Sequence, residues 1–200
     1  MLYSNFYGGA GVGVGDFNQD GLEDILFAGN QVSDQLYFNK GDFRFENVTS
    51  SSGIIQDNGW STGVAVADIN ADGLLDIYVT RELFDYKPDL RTNLLYINKG
   101  NGRFIEMGAQ YGLADDSRTR HASFLDYDKD GLLDLFLLTQ PPNPGSYSSF
   151  FGTELLQKQY HLKLYRNTGN QKFVEVSASA GIDLTGFPNG ICVADLNNDG

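Results

Sequence analysis

Apolar residues in this chain come in short runs, and the stretches between them are rich in Asp, Asn and Gly. Val12-Gly13-Val14-Gly15, Val64–Ala67, Ala122–Leu125 and Ile191–Ala194 each precede such a polar stretch. Asp24–Phe27, Asp76–Val79 and Asp134–Leu138 each follow one. Runs this short, bounded by turn residues, predict strands rather than helices. A third run carries a Leu-Tyr pair (Leu36-Tyr37, Leu95-Tyr96, Leu164-Tyr165), and a Gly/Asn turn leads from it to a fourth, as in Arg103–Met107 and Lys172–Val176. The first two runs are apolar almost throughout, as expected of a sheet covered on both faces. The fourth mixes apolar with charged residues, as an outer strand should.

The four-run pattern repeats. Its polar stretches begin at Asp16, Asp68, Asp126 and Asp195, spaced by 52, 58 and 69 residues. Eight residues after each Leu-Tyr tyrosine stands a Phe (Phe45, Phe104, Phe173), and eight after that a Gly followed by an aliphatic residue (Gly53, Gly112, Gly181). Nearly all the variation in period lies between the last Asp of the polar stretch and the tyrosine, a distance of 13, 20 and 31 residues. Four-stranded antiparallel units at such periods predict the blades of an all-β β-propeller, each unit needing neighbours to bury its faces. The repeats fall at about residues 1–53, 54–112, 113–181 and 182–200, the last cut short. Three blades plus one strand do not close a ring of at least about four, so the chain is expected to be part of a larger propeller.

The polar stretches carry the chemistry. Asp16-Phe17-Asn18-Gln19-Asp20-Gly21-Leu22-Glu23-Asp24 is matched by Asp68–Asp76, by Asp126–Asp134 and by the truncated Asp195–Gly200. Oxygen side chains at positions 1, 3, 5 and 9, with Gly at 6, suit a loop wrapped around a hard cation, and the residue at position 7 can add its backbone carbonyl. The expected ligands are Asp16, Asn18, Asp20, Leu22 and Asp24 in the first loop, and Asp68, Asn70, Asp72, Leu74 and Asp76 in the second. The third offers Asp126, Asp128, Asp130, Leu132 and Asp134, and the truncated fourth Asp195, Asn197 and Asp199. An EF-hand needs flanking helices and a Glu at position 12, where this chain has Phe27, Val79 or Leu137 inside apolar runs. Plain Asn/Asp-Gly hairpin turns would need no metal, but three or four carboxylates within nine residues repel one another without a cation. A cage of many oxygens in a flexible loop favours Ca²⁺ over Mg²⁺, with three complete sites and a fourth truncated. Extracellular modules bind Ca²⁺ at about 10⁻⁴–10⁻³ M, so such loops fill outside a cell.

Charge adds to this picture. The formal net charge is −12, and 12 of the 26 acidic residues sit at loop positions. Three or four Ca²⁺ ions would offset half of that excess or more. What remains disfavours nucleic acid, which is held through Lys and Arg. No segment is long and apolar enough to span a membrane, and the first residues lack the basic start and apolar run of a signal peptide. The one cysteine, Cys192, excludes a disulfide framework and is expected to be a buried small hydrophobe.

Asp-x-[Asn/Asp]-x-Asp-Gly-x-x-Asp between apolar strands, followed by Leu-Tyr-x-Asn-x-Gly, resembles the FG-GAP/VCBS repeats. The resemblance covers essentially the whole chain. It extends to integrin α chains and to cartilage acidic protein-like secreted proteins, most closely the bacterial ones. It implies a propeller of seven blades, Ca²⁺ in the loops between the first and second strands, and residence outside the cytoplasm: extracellular, periplasmic or at the cell surface. Integrin members use their propellers for adhesion, and the group supplies no shared chemistry.

Three functional classes remain open. The leading one is a calcium-stabilised module that binds a protein or glycan through the variable loops between second and third strands, on the face opposite the metal loops. Its candidate contacts are in Arg81–Arg91 and in Gln140–Tyr160, where Tyr147, Phe150 and Phe151 precede a short amphipathic stretch at Glu154–Lys158. A polysaccharide-active enzyme would need a basic or His-bearing cleft, for which Arg81, Arg91, Arg118, Arg120 and His121 are the candidates. No nucleophile motif or His/Cys cluster accompanies His121 or His161, so no catalytic residue is assigned. A structural spacer is the third class.

Overall fold

The computed structural model describes residues 9–82, 87–141, 161–186 and 188–194. Among these, the first sheet comprises β1 (Val12–Gly15), β2 (Asp24–Phe27), β3 (Gln35–Asn39) and β4 (Phe45–Asn47). The second comprises β5 (Trp60–Ala67), β6 (Asp76–Glu82), β7 (Leu94–Asn98) and β8 (Phe104–Glu106). The third comprises β9 (Arg118–Leu125), β10 (Asp134–Gln140), β11 (Lys163–Asn167) and β12 (Phe173–Glu175). Strands follow chain order in every sheet, and all pairs are antiparallel. The all-β, four-strand reading of the sequence therefore holds.

Strand alternation explains how the sheets pack. Ile77 and Val79 of β6 point one way and meet Phe17, Leu26 and Leu36 of the first sheet. Tyr78 between them points the other way and joins Leu95, Ile97, Leu135, Leu137 and Phe173 in a second core. All seven residues of β6 are buried, the apolar Ile77–Val79 and the polar Asp76, Thr80, Arg81 and Glu82 alike. Among the described residues Val12, Val14, Phe27 and Phe45 of the first sheet are exposed, whereas at the same positions of the second sheet Val64, Val79 and Phe104 are buried and Val66 is half-buried.

β5 and β9 begin four residues earlier than their apolar runs. These added residues include buried polar side chains, Ser61 and Thr62 in β5 and Arg118 and Thr119 in β9, and the two strands meet there: the Thr62 hydroxyl donates to the Thr119 carbonyl at 2.6 Å. His121 thus lies inside β9 rather than ahead of it. This contact is so close that a Cβ on Gly63 would come within 2.9 Å of the Arg120 carbonyl, and where the first sheet meets β5 a Cβ on Gly11 would come within 2.7 Å of the Gly63 Cα. The recurring Gly after each fourth strand also gains a cause. A single helical turn, α1 (Thr49–Ser52) or α2 (Gly108–Tyr111), follows β4 and β8, and Gly53 and Gly112 end them in the left-handed conformation.

One expected strand is not there. Ile191–Ala194 is not extended into a sheet, because none of the described residues forms a ladder with it and a strand needs a hydrogen-bonded neighbour. Cys192 in it is accordingly exposed, not buried.

Candidate metal centre

The three loops Asp16–Asp24, Asp68–Asp76 and Asp126–Asp134 join the first two strands of their sheets and share one construction. In the second, the Asp68 carboxylate accepts the backbone N–H groups of Asp72 (3.1 Å) and Gly73 (2.8 Å). The Asn70 carbonyl oxygen accepts the Asp72 N–H at 3.0 Å, and the Asp72 carboxylate accepts the Leu74 N–H at 2.9 Å. The first loop repeats all four bonds, and the third repeats those of positions 1 and 5. Part of the repulsion among the carboxylates is therefore relieved by backbone dipoles, a contribution that counting acidic residues does not reveal. Positions 4 and 6 are both left-handed, at φ 56° for Ala71 and 84° for Gly73. The sequence singles out only the Gly.

Position 9 has a distinct place. Asp24, Asp76 and Asp134 are fully buried. In the second loop Asp76 accepts the Ile69 N–H at 3.0 Å through one oxygen and the Asn98 N–H at 2.8 Å through the other. Asp24 bridges Phe17 and Asn39 in the same way, and Asp134 bridges Tyr127 and Asn167. This carboxylate thus fastens the loop to the third strand, and the Asn of the Leu-Tyr-x-Asn block is its partner. Burial pushes all three carboxyls up, Asp76 to about 6, against the pull of those two N–H groups.

The loops differ at position 3. Only Asp126, Asp128 and Asp130 bring three acidic groups within 4.8 Å of one another among the described residues, a cluster able to hold a metal ion. The expectation of three complete sites is reduced, among the described residues, to this one acidic cluster, because Asn18 and Asn70 supply a neutral amide where the third loop has Asp128. Their amide nitrogens donate to the position-5 carboxylates, Asn18 to Asp20 at 3.1 Å and Asn70 to Asp72 at 3.0 Å. In the third loop Arg166 of β11 is paired instead with Asp128 (2.7 Å) and Asp130 (3.2 Å). Hydrogen bonding to Asp130, then the charge of Asp128, holds this guanidinium still more firmly protonated. The donors in all three loops are oxygens alone, the set a hard divalent cation takes. Leu22, Leu74 and Leu132 stand at position 7 of their loops. Asp195, Asn197 and Asp199 lie outside the described residues.

Beside the second loop is a cleft of about 210 Å³ between the second and third sheets, lined by Asp68, Asn70, Tyr111, Asn167 and Gln171 among others. Tyr111 in this lining has a buried hydroxyl, and burial pushes its pKa up.

The opposite end of the sheets is built otherwise. Arg81, 2% exposed, forms a two-pronged pair with Asp57 at 2.9 and 2.8 Å. Asp115 takes Lys163 at 2.5 Å and the Tyr165 hydroxyl at 2.6 Å. Burial raises the Asp115 carboxyl, but the Lys163 charge and these hydrogen bonds outweigh it and hold the group below its ordinary value. Arg120 pairs with Glu82, Arg91 with Asp116, and Arg118 is buried. The cations that a catalytic cleft would draw on are committed to ion pairs or burial. His121 is half-buried, and His161 lies 3.7 Å from Glu175. The aromatic candidates Tyr147, Phe150 and Phe151 and the stretch Glu154–Lys158 lie outside the described residues, as do 83–86 of the shorter connection. No helix among the described residues is long and apolar enough to cross a membrane.

Three sheets carrying one loop design define a repeat protein, and residues 8–79 and 87–137 match the FG-GAP-like repeat. The chain belongs to that family. It is similar to cartilage acidic protein 1 from Homo sapiens, 26% identical over 98% of this chain and 28% of that protein. The Xenopus tropicalis protein of the same name is 30% identical over 66% of this chain and 20% of its own length. The Mus musculus protein is 25% identical, with 98% and 28% covered. The chain thus spans 20–28% of the length of these relatives.

Proposed function

We propose that this chain is part of a calcium-stabilised β-propeller that works outside the cell as a binding or adhesion module for a protein or glycan. The observation that carries the reading is the threefold recurrence of one oxygen-lined loop at the same corner of three successive sheets. Each sheet is a blade in this reading, with repeats at about 1–53, 54–112, 113–181 and 182–200. The exposed Val12, Val14, Phe27 and Phe45 support further blades, since the same positions of the second sheet are covered by the first.

Ca²⁺ in the first loop is held by Asp16, Asn18, Asp20, Asp24 and the Leu22 carbonyl, and in the second by Asp68, Asn70, Asp72, Asp76 and the Leu74 carbonyl. In the third it is held by Asp126, Asp128, Asp130, Asp134 and the Leu132 carbonyl. The fourth, truncated set is Asp195, Asn197 and Asp199. The ion ties the two strands of each corner together and stabilises the folded state by linkage. Binding rather than catalysis is favoured because Arg81, Arg91 and Arg120 are already paired and Arg118 is buried. The acidic surface, net −12, argues against nucleic acid, and millimolar-range loops suit an extracellular, periplasmic or cell-surface setting.

Thermal melting of the chain in millimolar calcium and in excess chelator tests this. The midpoint is expected to fall by several degrees on chelation, and Asp72→Ala to lose part of that response. Identical curves would refute the calcium reading. A glycan-array and pull-down screen in calcium tests the binding role, which a complete lack of partners would overturn.

A further inference from the structure

The third loop differs from the other two by a compensated pair of changes. In the first and second loops the position-5 carboxylate receives the amide of the position-3 Asn, at 3.1 Å on Asp20 and 3.0 Å on Asp72. In the third, position 3 is Asp128, which when ionised has no hydrogen to give. The oxygen of Asp130 that corresponds to the acceptor in Asp20 and Asp72 is served at 3.2 Å by Arg166, whose Nε also reaches Asp128 at 2.7 Å. Arg166 follows the tyrosine of the Leu-Tyr block. The same register position is Phe38 in β3 and Ile97 in β7, so neither of the other loops faces a cation from its third strand. The extra negative charge and the extra positive charge thus occur together, and only here.

We propose that Arg166 is a built-in counter-cation of the third loop, which competes with a divalent ion for Asp128 and Asp130. This rests on reading the loops as calcium sites and goes beyond it by making them unequal. A Ca²⁺ ion entering the first or second loop displaces no protein cation. One entering the third must share or release two carboxylates held by a guanidinium, which is always protonated and matches their geometry. The third loop is therefore the weakest calcium site of the three and the one least dependent on calcium for its shape. Arg166 is half-exposed, so the competition is screened by salt and modest in size.

Calcium titration calorimetry on the full chain provides the test, with Arg166→Met and the double variant Asp128→Asn/Arg166→Ile, which rebuilds the pattern of the second loop. The wild-type chain is expected to show a weak binding step, and Arg166→Met to tighten it by about three- to tenfold. In chelator Arg166→Met should melt earlier than wild type. The double variant should recover the melting temperature and bind at the third loop as tightly as at the second. A weak step unchanged or weakened in Arg166→Met, with Asp72→Ala still deleting a tight step, would overturn the competition and leave the calcium reading standing. Absence of binding heat in every protein, wild type included, would overturn the calcium reading and this proposal with it.

Discussion

The two ends of the sheets hold their neighbours by opposite means. At the loop end, one device recurs: a buried position-9 Asp takes one N–H from its loop and one from the third strand, as Asp76 does from Ile69 and Asn98. At the other end each junction is individual. Asp57, in the connection into the second sheet, is gripped by Arg81 of that sheet's second strand, β6, whereas Asp115, in the connection into the third, is gripped by Lys163 and Tyr165 of that sheet's third strand, β11. The loop end is acidic and relies on backbone donors, or on an ion. The far end brings its own cations. A repeat protein needs an identical corner wherever strands turn, while the variable connections leave each far junction to find its own partner.

Substitutions sharpen the contrast. Asp76→Ala leaves two buried N–H groups unpaired and is expected to cost about 3 kcal/mol in denaturant unfolding. Arg81→Met strips Asp57 of its partner, but Asp57 is 28% exposed and water reaches it. A loss of about 2 kcal/mol is expected there. A greater loss from Arg81→Met than from Asp76→Ala would reverse the ranking of the two ends.

Acid separates them further. Burial raises Asp76 from 3.8 to about 6, so between those values the folded, calcium-free chain holds a proton that the unfolded chain releases. Its contribution in chelator is greatest below about pH 4 and declines as pH rises to about 6. Asp115 is depressed below 3.8, so its contribution is full above that value and is lost as pH falls through its lowered pKa. Melting midpoints from pH 3 to 7 in chelator should lose part of the first slope in Asp76→Asn, since Asp24 and Asp134 are raised as well, and part of the second in Asp115→Asn. Parallel profiles for the two variants would contradict this. The smallest effect is expected from Ala71→Gly, which relieves the left-handed position 4 and should stabilise by about 0.5 kcal/mol after the added flexibility of the unfolded chain.

Much of the loop end was legible in the sequence, because strand alternation and loop spacing are local and repeat. The three four-stranded sheets and the order of their strands followed from that. Three features did not. The polar starts of β5 and β9 read as connection because their burial comes from a different sheet, through contacts such as Thr62 with Thr119. The pairing of Asp57 with Arg81 spans 24 residues and that of Asp115 with Lys163 spans 48, with no fixed spacing to mark them. Arg166 was in plain view beside Tyr165, yet its role emerges only when β11 sets it opposite Asp128. Charge counting also overstated the need for a metal, since backbone N–H groups take up part of the load at every loop. Ile191–Ala194 carries the strand pattern but not the neighbour that would make it one.

The proposed divalent ion would sit among Asp68, Asn70 and Asp72 and in their first-sheet and third-sheet counterparts. Crystals grown in calcium, measured for anomalous scattering, address it directly. Peaks with oxygen neighbours at about 2.3–2.6 Å are expected in the first two loops, and a weaker one in the third beside Arg166. No peak in any of the three would contradict it.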